Sequence, residues 1–361
     1  ESDLCTDYIQ EIENKLGIPT MGRVERFPKI FEYLMKLSIE RPITLFIDEF
    51  QEFFKVNKSV YSDMQRIWDM YHTKAHINLI VCGSIFSMMT KIFKDKKEPL
   101  YNRQTRFMSI KPFTPAVLKE IMAEYNPNYT AEDLLALYSF TGGVAKYVQL
   151  LVDAGATTKT KMLNHIIKAD SVFLGEGKAI LIEEFGKDYG VYFSILSAIA
   201  RGKTLRSEIE QIVGREIGGY LTKLEKEYEV ITKNQPIFEK SSTKNVRYTI
   251  EDNFFTFWFR FIYKYNYMLE IENFDAVKTI INRDYETFSG KMLERYFKRV
   301  LMESKAYTRI GSWWDRRGEN EIDIVAENEL NDEAVFIEVK RKEDNFDAVA
   351  LNEKVDVFTR A

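Results

Sequence analysis

The sequence predicts an α/β protein built from several modules, and three observations carry that expectation. Two continuously apolar runs, "ITLFID" (43–48) and "INLIVCGS" (77–84), flank a helix-periodic stretch, "YSDMQRIWDMYHTKAH"; strand, helix, strand is the order that builds a parallel sheet. Farther along, three short amphipathic helical patterns precede two alternating runs, "EVITKN" and "NVRYTIED", joined through the polar loop "KSSTK". Near the end, the helical pattern "FSGKMLERYFKRVLMES" leads into strand-like runs around Ile322 and Phe336.

In chain order, residues 1–41 carry helix-period apolar positions, interrupted by "GIPTMGR" and closed by Pro42. The runs at 43–48 and 77–84 read as strands buried on both faces. From "TPAVLKEIMAEY" to "TKMLNHIIKADSV" the spacing is helical, broken by "NPNYT" and "TGGVAKYV", which predicts a small all-helical subdomain. Three helices followed by a β-hairpin is the winged helix-turn-helix order. "DNFFTFWFRFIYKY" is too aromatic for a helix free in solvent and reads as a packing bridge. The expected boundaries are 1–112, 113–180, 181–265 and 266–361.

The 361 residues suit two to four domains, and the 45% hydrophobic and 29% charged content suits a globular protein able to bury sizeable cores. A net charge of -4 excludes a uniformly basic coat for nucleic acid, so any such binding must come from local patches. Two cysteines, Cys5 and Cys82, exclude a disulfide framework; Cys82 reads as a buried free thiol, which suits the reducing cytoplasm. No apolar run approaches a membrane span, and no signal peptide precedes "ESDLCTDYIQ". Glu1 at the start and "LNEKVDVFTRA" at the end suggest a piece of a longer chain.

The stretch "EIDIVAENELNDEAVFIEVK" (321–340) places an acid in one strand-like run and an acid and a lysine in the next. Alternation puts Phe336, Glu338 and Lys340 on one face, and a hairpin through "ENELNDE" brings Asp323 beside Glu338. Two carboxylates at one spot are tolerable when a cation joins them. Mg²⁺ is held by one or two carboxylates plus waters, and a nearby lysine can orient an attacking water. A solvated hairpin whose charges keep an edge soluble is the alternative. Just upstream, "RIGSWWDRRGENEID" adds Arg309, Arg316 and Arg317 to Lys291, Arg295, Lys298, Arg299 and Lys305 as phosphate-neutralising charge; Trp313 and Trp314 read either as base-stacking or as buried rings.

"ITLFIDEF" has the form of a Walker B strand. A buried strand would hold Asp48 against Mg²⁺, while Glu49 orients the water that attacks the γ-phosphate of ATP. Ser84, ending the second strand, lies where the ATPases that this strand resembles keep a polar sensor residue, and Arg103 and Arg106 in "PLYNRQTRFMSIKPF" are candidates to read the γ-phosphate. No GxxxxGK[ST] loop precedes the strand; the expectation is that it lies upstream of Glu1, and the alternative is that nucleotide binding has been lost. In the winged helix, Arg215, Tyr220, Lys223 and Lys226 of "REIGGYLTKLEKEY" face a groove-reading role, diluted by Glu216, Glu225 and Glu227. His72 and His76 stand four apart without a third ligand, which favours surface histidines over a metal site.

Two resemblances follow. The "EID…EVK" arrangement resembles the PD-(D/E)xK, restriction-endonuclease-like superfamily, in which Glu294 fits the helical acid, Asp323 and Glu338 the metal positions and Lys340 the catalytic lysine; Ile322 stands where proline is common. In order, "FIDEF", "VCGS", "PLYNRQTR", "TGGVAKYV", "RYTIEDNFFTFWFRF" and "WWDRRGENEIDIVA…VFIEVK" resemble the archaeal-type ATPases, also found in bacteria, that join a P-loop AAA/STAND-like module to a winged helix and a nuclease-like domain. The resemblance implies a parallel-sheet ATPase-like module, here lacking its P-loop, then a helical lid (113–180), a winged helix (181–265) and an endonuclease-like α/β domain (266–361). It also implies ATP and Mg²⁺ as cofactors, DNA as a partner engaged through Arg316, Arg317 and Lys223, a homo-oligomer, and nucleotide control of DNA engagement. The rival expectations are a Mg²⁺-dependent DNA endonuclease with a regulatory amino-terminal module, and an inert DNA- or protein-binding scaffold.

Overall fold

Residues 2–18, 22, 24–57, 59–240 and 243–360 are described by the computed structural model, and the chain divides into two units, Glu1–Ser109 and Ile110–Ala361. Part of the expected "GIPTMGR" break lies outside the described residues. The first unit runs α1 (Ser2–Leu16), α2 (Phe27–Leu37), β1 (Ile43–Ile47), a 3₁₀ turn (Phe50–Glu52), α3 (Phe53–Val56), α4 (Val60–Tyr71), β2 (Ile77–Val81) and α5 (Phe86–Lys94). On α2, Phe27, Ile30, Phe31, Leu34 and Met35 fall at helical spacing and are all buried, and Pro28 occupies the first turn, where its missing N–H costs nothing. That stripe packs against α4.

The strands pair in parallel, from Ile43 opposite Ile77 to Ile47 opposite Val81. Burial on both faces does not hold. Phe46 and its neighbour Ile80 are 59% and 43% exposed, whereas Leu45, Ile47, Leu79 and Val81 pack into the core of this unit. Apolar composition permits burial but does not supply a covering layer, and among the described residues only one face of this sheet has one.

The second unit begins with α6 (Pro115–Tyr125), α7 (Ala131–Thr141), α8 (Ala145–Asp153), α9 (Lys159–Ile166) and α10 (Val172–Phe185). A reciprocal pair starts α7: the Thr130 hydroxyl accepts from Asp133 N, and the Asp133 carboxylate accepts from Thr130 N. Three further helices, α11 (Tyr189–Ala200), α12 (Arg206–Val213) and α13 (Gly218–Lys226), precede an antiparallel pair, β3 (Ile231–Asn234) and β4 (Arg247–Ile250). The aromatic run then forms α14 (Asn253–Phe257) and continues as a π-helical turn over Trp258–Tyr263. Phe254, Phe257, Trp258, Phe259, Phe261 and Ile262 are all buried, with Phe257 against Phe140 at 4.8 Å and Phe288 at 6.0 Å between ring centres.

After α15 (Asn266–Glu270), the long α16 (Phe274–Ser304) leads into β5 (Arg309–Trp314), β6 (Glu321–Asn328) and β7 (Glu333–Ile337), and α17 (Ala348–Arg360) follows. These strands form an antiparallel sheet with β6 in the middle; α16 packs against β5 and β6, and α17 against β6. This explains why Ile324, Val325 and Ala326 are fully buried in succession. β7 stops at Ile337, so Glu338 and Lys340 lie just past the strand rather than within it.

Candidate functional site

In the first unit, the carboxyl ends of β1 and β2 bring together an acid pair and a hydroxyl. Ile47 O accepts from Cys82 N at 2.9 Å and Cys82 O accepts from Phe50 N at 2.8 Å, which locks the turn after β1 onto the end of β2. Asp48 and Glu49 stand exposed at that edge. Asp48 Oδ1 accepts from the Cys82 thiol at 2.7 Å and from Glu49 N at 2.9 Å. These bonds, the thiol first, hold the Asp48 carboxyl below its usual range, so it is ionised at neutral pH. Its second oxygen, Oδ2, accepts from no described residue. Cys82, expected as a buried thiol, is half-buried and serves as a donor; it lies just past the end of β2 at Val81, where its side chain meets Asp48 rather than the core.

Glu49 takes a left-handed backbone, φ 47 and ψ 45, which costs a non-glycine residue about 1 kcal/mol and marks a position fixed by its surroundings. Its Oε2 accepts from the Ser84 hydroxyl at 2.9 Å, from Ser84 N at 3.3 Å and from the Gln51 amide. The amide first and the hydroxyl second depress the Glu49 pKa. Gln51 is buried, with Nε2 serving Glu49 and Ser84 and Oε1 accepting no hydrogen bond. Gly83 makes room for it: a Cβ there would collide with Gln51 Oε1 and lie 2.7 Å from Met89 Sδ. Sequence reasoning missed Gln51 and read Cys82 only as a buried thiol, although both lie within three residues of the motif positions.

The arginines stand differently. Arg103 is committed to a brace, donating Nε and Nη2 to the two Asp69 oxygens at 2.9 and 2.8 Å and Nη1 to the Pro99 and Tyr101 carbonyls. That use of its donors argues against Arg103 as a free phosphate reader. Arg106 is exposed in an irregular run. His72 stacks on Trp68, and its Nδ1 lies 3.0 Å from Trp68 O.

In the second unit, continuing the β6–β7 register by one step from Ile324 opposite Ile337 sets Asp323 opposite Glu338. There the ladder is continued by a side chain, since Asp323 Oδ2 accepts from Val339 N at 2.8 Å. Burial raises the Asp323 pKa and the nearby Glu338 charge adds to it. Burial would also raise Glu338, but the Lys340 and Lys354 ammonium groups outweigh it and hold the carboxyl low. Lys340 Nζ lies 2.6 Å from Glu338 Oε1, and Lys354 Nζ of α17 lies 3.0 Å from both oxygens. Glu294 of α16 receives Lys291 at 3.0 and 3.2 Å, and burial, with Asp323 nearby, pushes its pKa up to about 7. Among the described residues no group of three or more His, Cys, Asp or Glu side chains converges on one point for a metal. Glu294, Asp323 and Glu338 are thus neighbours whose charge is balanced by lysines. For Mg²⁺ the fit is two-carboxylate, Asp323 and Glu338 with waters, and the lysine on Glu338 would have to yield. Lys291, expected among the phosphate-neutralising cations, is instead the i,i+3 partner of Glu294 on α16, whereas Lys354 carried no sequence signal, because packing of α17 places it.

Arg316 and Arg317 are exposed in the β5–β6 turn and Lys223 is exposed on α13. Trp313 and Trp314 are each 5% exposed; Trp314 Nε1 donates to Asn245 Oδ1 at 2.9 Å. The buried alternative holds for both rings.

A parallel α/β sheet with paired acids at its carboxyl edge defines the class of Walker-type ATPase domains. The family described as "ATPase domain predominantly from Archaea" matches residues 7–151, and that of "Archaea bacterial proteins of unknown function" matches residues 258–355. An uncharacterized protein of Methanocaldococcus jannaschii, MJECL04, is 33% identical over 314 residues, covering 83% of this chain and 67% of that protein. The chain belongs to the same family, and its amino-terminal part is an ATPase domain of the archaeal type. A second protein of that organism, MJ0424, is 34% identical over 55 residues, 15% of this chain and 53% of that one. The fold is similar to the Walker-type ATPase PABY2304 of Pyrococcus abyssi, with TM-score 0.50 and 19% identity over 70% of this chain and 75% of that one. No described helix is long and apolar enough to cross a membrane.

Proposed function

We propose that the protein binds and hydrolyses ATP with Mg²⁺ and couples this to DNA engagement by its second unit. The observation that carries the reading is the Asp48–Glu49 pair at the carboxyl edge of β1, fastened to Ser84 of the neighbouring strand end. These residues fit the metal-and-water end of such a site: one ionised carboxylate with a free, exposed oxygen, and a second held by neutral donors. Mg-ATP, when bound, supplies the phosphoanhydride to be cut and the divalent charge beside it. Asp48 would hold the ion directly or through a water, and Glu49 would take up the proton of the attacking water. Ser84 and Gln51 orient Glu49. The glycine-rich cradle for the triphosphate is not among these residues. In the full-length chain, titration calorimetry with Mg-ATP is expected to show binding that Asp48→Ala weakens at least tenfold, with ATP binding in EDTA little changed. Equal Mg-ATP affinity for the variant sinks the assignment of Asp48.

The segment 181–265, with its three helices α11 to α13 and the β3–β4 hairpin, is the winged-helix part of the reading, and 266–361 its nuclease-like part. A second activity is favoured by Asp323 standing opposite Glu338 with Lys340 beside it. On that reading the protein nicks or cuts duplex DNA with Mg²⁺ or Mn²⁺, and Asp323→Ala or Lys340→Ala lowers cleavage at least a hundredfold. Cleavage that both variants retain removes the centre from consideration.

A further inference from the structure

A surface groove of about 870 Å³ runs between the start of α12, the β3–β4 connection and the β5–β6 turn. Its cations are Arg206, Lys240, Lys244 and Arg316, and its acids are Glu210 and Glu239. Arg206 is neutralised by Glu210 at 2.7 Å and Glu216 at 3.1 Å, and Glu210 is further occupied by Ile217 N. That leaves Lys240, Lys244 and Arg316 without an ion pair among the described residues, against the single unpaired carboxylate of Glu239. In a chain of net charge -4, three unpaired cations on one groove are a local excess.

The walls are braced. In the β5–β6 turn, the Asp315 carboxylate accepts from Glu319 N at 3.0 Å, Asn320 N at 3.1 Å and Asn320 Nδ2 at 2.7 Å. Gly318 takes φ 73, which a side chain would oppose, and the turn so closed leaves Arg316 and Arg317 exposed. The β3–β4 connection is pinned to β5 at two points: Ile237 N donates to Ser312 O at 2.9 Å, and Asn245 Nδ2 and Oδ1 engage Trp314 O and Nε1. Arg247 closes the junction, lying over the Trp314 ring at 4.5 Å and paired with Glu321 at 2.9 Å. The cations are thus carried on a scaffold made jointly by the helix–hairpin segment and the carboxyl-terminal sheet.

We infer that this groove seats the phosphate backbone of duplex DNA, without reading base sequence. Unpaired, spaced cations recognise a polyanion whose charges are also spaced. A single strand is disfavoured, because its binding sites stack bases on aromatic faces; none of the described lining residues is aromatic, and Trp313 and Trp314 are buried. The exposed face of α13 is the weaker surface, since Lys223 and Lys226 alternate with Glu225 and Glu227. This inference rests on the DNA-engaging part of the reading above; of the expected contacts it keeps Arg316 and replaces Lys223 of α13 with Lys240 and Lys244.

The test is fluorescence anisotropy of the full-length chain with a labelled duplex DNA of mixed sequence, without nucleotide, over a range of salt concentrations. The triple variant Lys240→Ala, Lys244→Ala, Arg316→Ala is expected to lose at least about tenfold in affinity, and its salt slope to flatten by about 0.9 for each contact removed. A second mixed sequence is expected to bind with the same affinity. All three positions are exposed, so an unchanged thermal transition separates loss of binding from loss of fold. An unchanged triple variant beside a weakened Lys223→Ala, Lys226→Ala variant overturns the groove while sparing the DNA reading. Tighter binding of single-stranded DNA overturns the duplex assignment, and no DNA binding by the parent chain overturns both, with the nucleotide reading judged separately by calorimetry.

Discussion

Glutamine at position 49 is expected to slow ATP hydrolysis by the full-length chain by about 10²–10⁴-fold, the range for loss of a general base. Mg-ATP affinity should stay within a few-fold of the parent. The amide has the shape of the carboxylate, and its oxygen still accepts from the Ser84 hydroxyl and backbone N–H that now hold Glu49 Oε2. What it lacks is a site for the proton leaving water. The unusual backbone of Glu49, φ 47, is kept by the turn that Cys82 O and Phe50 N close, so the substitution does not release the residue. Steady-state phosphate release beside calorimetry distinguishes the outcomes: a rate unchanged in Glu49→Gln removes the proton-accepting role, and a loss of binding equal to the loss of rate reassigns Glu49 to holding the ion.

The second large effect is on stability and has the opposite sign to most core substitutions. Glu294 has its pKa raised by burial from 4.5 to about 7. Below about pH 4.5 the carboxyl is protonated in both folded and unfolded chains and contributes no difference. Between that value and about pH 7 the folded chain holds a proton that the unfolded chain has released, so stability falls as pH rises. Glu294→Gln removes that penalty. In metal-free buffer above pH 7 the variant should be more stable by up to about 3 kcal/mol, since each tenfold change in proton affinity is worth about 1.36 kcal/mol, less whatever the Lys291 contact returns. Denaturant unfolding at pH 8 and pH 4.5 checks both the size and its disappearance. A variant less stable at pH 8 would show that the Lys291 pair outweighs the cost of burying the charge.

Much of the fold was legible because it follows from local patterns. The apolar runs at 43–47 and 77–81 had to be strands, and the acids after the first fall at its carboxyl end by chain order alone. The aromatic run 253–263 had to be buried, since no solvated helix carries so many rings. Other features were out of reach. The exposed faces of Phe46 and Ile80 depend on which layers cover the sheet, and the end of β7 at Ile337 depends on Asp323 replacing a ladder partner with its side chain. Arg103 was recognisable as an arginine near a nucleotide-type motif, but Asp69, 34 positions earlier, decides what it does.

The sequence by itself determined at which strand ends the acids and hydroxyls fall, because strand alternation and chain order are local properties. Only the tertiary structure decided which charges those side chains meet. Lys354 reaches Glu338 of the carboxyl-terminal centre from α17. Arg341, next to Lys340, is tied to Ser289 and, at 2.7 Å, to Glu132 of α7, 209 residues away in the chain. Electrostatic effects act through space and grow with burial, so the ionisation and availability of each site residue are set by neighbours that the linear order does not reveal.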